Sequence, residues 1–380
     1  MYKMYNKFGK GENLMNFESK KSLFAFGIVG GIGAAILAIL GNPKNMAFCI
    51  ACFIRDTAGA MKFQQAEVVQ YFRPEIVGII VGAFLISLYK REYRSTAGSS
   101  PAIRFLLGVI MVVCALVFLG CPLRMVLRMS AGDISAYVGL VGFLAGVYTG
   151  VLFLKKGFTL GRAHIAKKES GYILPFIVTV LFILSITVTS LFAFSVKGPG
   201  SMHAPVIASL IVGLLFGVIS QITRLCFAGS VRDIILMRDF SLMTIVAGLF
   251  VAMLVYNVSS GNFKFVSFGP IAHAQTIWNI LSMYGVGFAA ILLGGCPLRQ
   301  LVIASTGSSD AVFTVMGMFI GAAFAHNFLL AATPAANATA TEVAKIGGPG
   351  PNGKIAVIVS IILLFIIALW GIRKEKSVQK

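Results

Sequence analysis

Residues 120–124 read Gly120-Cys121-Pro122-Leu123-Arg124, and the chain repeats them as Gly295-Cys296-Pro297-Leu298-Arg299. An aspartate follows each copy, Asp133 and Asp310, just ahead of an apolar stretch. Those stretches carry matching small-residue pairs, Gly142/Gly146 and Gly317/Gly321. A second motif recurs at nearly the same separation. Phe48-Cys49-Ile50-Ala51-Cys52-Phe53-Ile54-Arg55-Asp56 is echoed by Leu225-Cys226-Phe227-Ala228-Gly229-Ser230-Val231-Arg232-Asp233. Four features in one order at nearly one offset mark a duplicated unit, an arrangement frequent in transporters.

The composition fixes the solvent. Of 380 residues, 58% are hydrophobic and 12% charged, against roughly 25% charged in soluble domains. Long runs such as Phe24–Leu40 and Ile355–Ile372 lack charged side chains, and a helix needs about 20 apolar residues to cross the hydrocarbon core. The formal charge of +19 does not point to nucleic acid. The basic residues sit mostly at the ends of apolar runs, as the positive-inside rule requires of cytoplasmic loops. Placing both termini in the cytoplasm puts most of the 32 lysines and arginines on that side. The first apolar run follows a basic stretch but lacks a small-residue cleavage site, so it reads as an uncleaved helix.

These patterns predict an all-α polytopic protein with about ten transmembrane helices. Residues 1–21 form a basic cytoplasmic tail and 22–154 a first repeat of four spans. Residues 155–203 are a linker with one extra helix, and 204–332 a second repeat. Residues 333–354 are a flexible external loop, and 355–380 the last helix and cytoplasmic tail. The extra crossing inverts the second repeat relative to the first. Inverted repeats place the solute site near the midplane, at their interface.

The motifs are too short and too polar to span. Irregular backbone at membrane depth survives only when buried in protein or lining a wet cavity, so the cysteine-bearing segments are expected to be re-entrant. Gly-Cys-Pro ends a helix and leaves the cysteine at the break. Asp133 and Asp310 can cap the helices that follow. Arg55-Asp56 and Arg232-Asp233 suit ion pairs that pin the re-entrant segments. Arg124 and Arg299 have no neighbouring acid and are expected to draw an anion inwards. Cys49, Cys121, Cys226 and Cys296 hold equivalent repeat positions, whereas Cys114 has no mate and reads as packing. Cys49 and Cys52 have redox-pair spacing, and an oxidising outer face permits a disulfide there. The four histidines are scattered and read as loop or helix-surface residues. No cysteine–histidine group has zinc spacing, so neither a metal nor a cofactor is expected, and no catalytic residue is assigned.

The doubled Gly-Cys-Pro-Leu-Arg, the Cys49 segment and the Arg-Leu-Cys-Phe-Ala-Gly segment at Cys226 resemble the YeeE/YedE sulfur-transport family. Cys49-X-X-Cys52 and Tyr71-Phe72-Arg73-Pro74-Glu75 resemble most its YedE branch, whose members are proposed selenium transporters. The resemblance implies an hourglass-shaped transporter, not an enzyme, that takes up a thiosulfate-like sulfur anion or a selenium compound. It implies a path lined by Cys49 or Cys52, Cys121 and Cys296, with Cys226 completing the symmetry. It implies residence in the cell inner membrane. It also points to a small cytoplasmic sulfur-carrier partner of the TusA/SirA type, which is not fused to a chain ending at Lys380. A soft, polarisable thiol suits a soft sulfur or selenium atom. The alternative is a membrane sulfurtransferase or thiol oxidoreductase built on Cys49 and Cys52, which would need an activated thiolate.

Overall fold

The computed structural model describes residues 19–336 and 344–378, with side chains of 373–378 outside the description. Most of the expected basic tail, Glu342 of the external loop, and the last basic side chains therefore lie outside the described residues. Helices dominate. The first half contains α1 (Lys20–Ile39), α2 (Ile50–Ala60), α3 (Pro74–Tyr89), α4 (Pro101–Val117), α5 (Pro122–Met129) and α6 (Ile134–Lys155). An extra helix, α7 (Ile173–Thr187), follows. The second half contains α8 (Val206–Ile222), α9 (Phe227–Met237), α10 (Ser241–Ser259), α11 (Thr276–Leu293), α12 (Pro297–Ser305) and α13 (Ser309–Asn327). The chain then forms α14 (Pro351–Val378). The one sheet among the described residues pairs β1 (Thr96–Ala97) with β2 (His164–Ile165). Eight helical stretches are long and apolar enough to cross a membrane, and α3 and α7 are shorter apolar helices. The chain is an all-α, multi-pass membrane protein.

The strongest helix packings are α1 with α10, α3 with α8, α4 with α13, and α6 with α11. Exchanging the halves turns the first pair into the second and the third into the fourth. Glycines set the registers and the directions. Gly27 and Gly31 meet the backbone of α10 at Ile245 and then Leu249, so α1 and α10 run parallel. Gly142 and Gly146 meet Ile280 and then Tyr284, so α6 and α11 run parallel too. Since α10 corresponds to α3, the next full-length helix after α1, parallel packing of α1 with α10 requires the halves to be inverted. At Gly142 and Gly146 a Cβ would collide with the partner's carbonyl oxygens. Close backbone approach between small residues is what holds helices together in lipid.

Short helices account for the rest of each half. The segment at 130–133 pairs with the α10–α11 loop through Lys264 N–H to Ala131 O (3.0 Å) and Ile134 N–H to Val266 O (3.0 Å). The equivalent segment at 306–308 pairs with the α3–α4 loop on the opposite side, through Thr96 N–H to Gly307 O (3.2 Å). Thus α2 and α5 enter and leave from one face, and α9 and α12 from the other. The first face carries the α1–α2, α10–α11 and α13–α14 loops.

Three boundaries differ from expectation. The extra helix of the 155–203 linker ends at Thr187 and gives way to a short turn at Thr189–Leu191, so it is shorter than a full membrane span. The helix expected to 332 stops at Asn327, where Leu329 takes a left-handed backbone. The segment expected to be a flexible loop to 354 ends at Pro351, which starts α14 four residues early. Its described ends are tied down by bridges Thr333–Gly348 and Ala336–Lys345.

Candidate functional site: two thiol clusters at the helix breaks

Each cysteine motif starts a short helix. Cys49 caps α2, and its sulfur accepts the N–H of Cys52 at 3.4 Å. Cys226 caps α9 in the same way, accepting from Gly229 at 3.1 Å. Cys121 and Cys296 stand in extended backbone before Pro122 and Pro297, the first residues of α5 and α12. Proline fits there because the first helical N–H has no intrahelical partner. The motif glycine has its own cause. A Cβ on Gly120 would lie 2.9 Å from Arg124 Cδ, and one on Gly295 would lie 2.8 Å from Arg299 Cγ. The glycine gives the arginine stem room to fold back over the break.

Two clusters result. In the first, the Cys49 and Cys52 sulfurs are 2.7 Å apart and Cys121 is within hydrogen-bond reach of Cys49. In the second, Cys226 and Cys296 are within reach of each other, and the Cys296 N–H points at the Cys226 sulfur at 3.5 Å. All five thiols are buried and free. Cys114 belongs to neither cluster; it sits mid-α4 against Gly285.

The arginines differ between clusters. Arg124 is fully buried, and protein atoms fill its five donors. Nε donates to Asn45 O (2.9 Å). Nη1 donates to Leu119 O and reaches Cys52 Sγ (3.6 Å). Nη2 donates to Pro270 O (3.3 Å) and Ile271 O (3.0 Å). The expectation that Arg124 stands open to an anion therefore changes. It acts on the thiols through its charge, while its donors hold loops. Arg299 keeps a buried Nη1 with no partner, as does Oε1 of neighbouring Gln300. Such an unmet buried donor costs about 1–3 kcal/mol. Beyond it, Arg224 and Gln221 both donate to Glu92, at 3.0 and 3.1 Å.

The adjacent ion pairs form in both halves. Arg55 meets Asp56 at 2.6 Å, fully buried, and Arg73 adds a second contact to Asp56 at 2.8 Å. Arg232 meets Asp233 at 2.8 Å, partly exposed. Asp133 caps α6 through Ser135 N–H (3.0 Å) and also pairs with Arg128 (2.7 Å). Asp310 does not cap α13; Ser308 does. Asp310 instead accepts from the Gly98 and Ser99 N–H groups and the Ser99 hydroxyl, tying down the α3–α4 loop.

Sequence reading missed Arg73 and Arg128, which have no repeat mates. Their signal was a charged side chain in an otherwise charge-poor stretch. Of the histidines read as loop or helix-surface residues, His273 does lie in a loop but is fully buried there, and His326 on α13 is half-buried. His273 lies in the α10–α11 loop with Nε2 2.9 Å from Val117 O. Burial pushes it down to about 4, so near neutrality it is uncharged and donates to that carbonyl.

On the first face a cavity of about 390 Å³ opens between the α1–α2 and α10–α11 loops, lined in part by Lys44, Asn45, Asn257, Lys264 and Pro270. Its Asn45 and Pro270 are the residues whose carbonyls Arg124 holds.

Residues 222–380 match the family model described as "Sulphur transport". The match covers the second half of the chain, and it is in keeping with the resemblance to the YeeE/YedE sulfur-transport family. It is 26% identical over 113 residues to the thiosulfate transporter TsuA of Spirochaeta thermophila, a match covering 30% of this chain and 34% of that relative. The chain therefore aligns with about a third of the length of the curated relative it matches. The region matched by the family model holds the whole second cluster, and the first lies in the half outside it.

Proposed function

We propose that this protein carries a small sulfur anion of the thiosulfate type across the cell inner membrane. The solute would pass from the first thiol cluster to the second. The observation that carries the reading is the pairing of clusters: free, buried thiols beside an arginine, at a helix break in each inverted half. Thiols give weak hydrogen bonds and a soft contact surface, and conduction through successive sites needs contacts weak enough to release. The arginines supply the positive field an anion needs at depth.

The sulfur reading is favoured by the family and by the printed activity of the relative; a selenium anion with a soft end would meet the same groups. The basic loop distribution favours cytoplasmic termini and an external first face. The solute would then enter through the cavity bearing Lys44 and Lys264 and leave past Arg224 and Glu92. A small sulfur-carrier protein on the cytoplasmic side would be a fitting acceptor. The sulfurtransferase alternative loses ground, since the recorded partners of the thiols are each other, backbone N–H groups and Arg124. None is a general base, so any thiolate would have to be stabilised by an arginine or a helix N-terminus instead.

Proteoliposomes containing only this protein test the reading. They should accumulate labelled thiosulfate, with unlabelled thiosulfate competing, sulfate competing poorly, and selenite and selenide ranking the selenium alternatives. No uptake of any of these by correctly inserted protein would refute it.

A further inference from the structure

Arg124 joins parts of the molecule that are otherwise separate. Asn45 belongs to the α1–α2 loop, Leu119 to the α4–α5 break, and Pro270 and Ile271 to the α10–α11 loop. One guanidinium thus ties loops of both halves over the first thiol cluster, directly beneath the cavity on that face.

The carbonyls it holds come from strained backbone. Asn45, Leu119 and Ile271 all have left-handed φ, at 60°, 62° and 54°. Asparagine tolerates this conformation, but leucine and a β-branched isoleucine adopt it rarely and at a cost. Such residues persist only where the surroundings over-determine them, and here the common element is the bond to Arg124. At the equivalent of Leu119 the second half has Gly294, φ 81°, which carries no such cost. Left-handed non-glycine residues also occur on the second face, at Arg91, Ser100 and Arg224; what is particular to the first face is that one guanidinium holds the carbonyls of three of them.

We infer that Arg124 is a strained latch closing the first gate, and that it selects oxyanions because only their oxygens can take over its donors. This rests on the uptake reading above. Peptide carbonyls are neutral acceptors, whereas an anionic oxygen forms a charge-assisted bond of roughly twice the strength. An oxyanion arriving from the cavity replaces the Asn45, Pro270 and Ile271 carbonyls on the guanidinium. The freed loops relax from their left-handed backbone, and the soft end of the solute meets Cys49, Cys52 and Cys121. Hydrosulfide and hydroselenide have no oxygen to offer, so they leave the latch shut. Arg124 acts as both binding group and gate.

Hydrogen exchange of the intact protein in detergent micelles reads the latch. Thiosulfate should raise amide exchange in 41–48 and 266–273 about tenfold, as expected when local opening becomes easier. Hydrosulfide at the same concentration should leave both segments unchanged. Arg124→Lys keeps the charge but loses the five-way fork. It should exchange fast in both segments without any anion and respond no further to thiosulfate. Its α11 and α13 peptides should stay as protected as in the native chain, which shows that it is folded. Unchanged exchange with thiosulfate at concentrations that saturate uptake would overturn the latch while leaving the transport reading intact. Equal opening by hydrosulfide would overturn the selectivity.

Discussion

The two thiol clusters descend from one duplicated unit, yet they are finished differently. In the first, Cys49, Cys52 and Cys121 sit beneath an arginine whose every donor is taken. In the second, Cys226 and Cys296 sit beside an arginine with a buried donor free. Asp56 is held by two buried arginines, Asp233 by one that is partly exposed. Leu119 is forced into a backbone that Gly294 adopts freely. Duplication supplied two sites of similar geometry, and the substitutions left the first with its arginine clamped by carbonyls and the second with a buried donor unmet. A path with two equivalent half-sites would have no reason to hold one side shut. A path with unequal half-sites can be clamped on one face while a ligand position stands ready on the other.

The largest expected effect separates the ion pairs. Asp56→Asn strands Arg55 and Arg73 in a buried site and should cost about 3–5 kcal/mol, the usual penalty for breaking a buried pair. Asp233→Asn should cost under about 1 kcal/mol, as for an exposed pair. Unfolding in mixed detergent–SDS micelles measures both, and equal costs would erase the contrast.

Next come the arginines. Arg124→Gln leaves several carbonyls unpaired and should destabilise by about 3 kcal/mol, given 1–3 kcal/mol per orphaned buried group. Arg299→Gln removes an unmet charge and should be within about 1 kcal/mol of neutral, while reducing uptake. Stability loss at Arg299 matching that at Arg124 would mean that its donor is already satisfied.

Acid should act on the first face before the second. His273 has its pKa lowered to about 4 by burial. A lowered histidine contributes stability that is complete above the unfolded value near 6.5 and lost as pH falls towards 4. Hydrogen exchange of 266–273 should therefore rise between those values, ahead of the 94–100 loop on the other face. His273→Gln should flatten that rise. The smallest effects concern single thiols. Cys52→Ala should reduce uptake by about threefold, the loss of one weak bond, because its counterpart Gly229 shows that the second cluster manages without it. Cys114→Ala should leave uptake within about twofold, since it belongs to neither cluster and touches Gly285 and Ser360 on packed helices.

Much of the fold was legible because lipid makes sequence patterns blunt. Ten apolar stretches, a Pro after Cys121 and after Cys296, and two doubled glycine pairs lead directly to the helices, the breaks and the close contacts at Gly142 and Gly146. Repeat position also singled out Cys49, Cys121, Cys226 and Cys296 and set Cys114 aside, whereas Cys52, which aligns with Gly229, was marked only by its spacing from Cys49. The limits have physical causes. Arg73 and Arg128 lack mates, so symmetry is silent about them. The partners of Arg124 are backbone carbonyls from Asn45, Pro270 and Ile271, and any residue type offers a carbonyl. Asp310 was open to a capping role because it stands where the apolar stretch begins, but it is the second residue of α13, and Ser308, immediately before the helix, takes that role. Its carboxylate was left to fasten Ser99, a contact that only the folding of the halves against each other creates.

Uptake of labelled thiosulfate by proteoliposomes containing the native chain, Cys121→Ala or Cys296→Ala tests the central claim most directly. The account predicts saturable uptake by the native chain, little inhibited by a large excess of sulfate. It predicts at least a tenfold loss in either variant, equivalent to about 1.4 kcal/mol at a rate-limiting contact, with both variants inserted and folded. Undiminished uptake in both variants, or sulfate carried better than thiosulfate, would make the thiols structural and contradict a path from one cluster to the other.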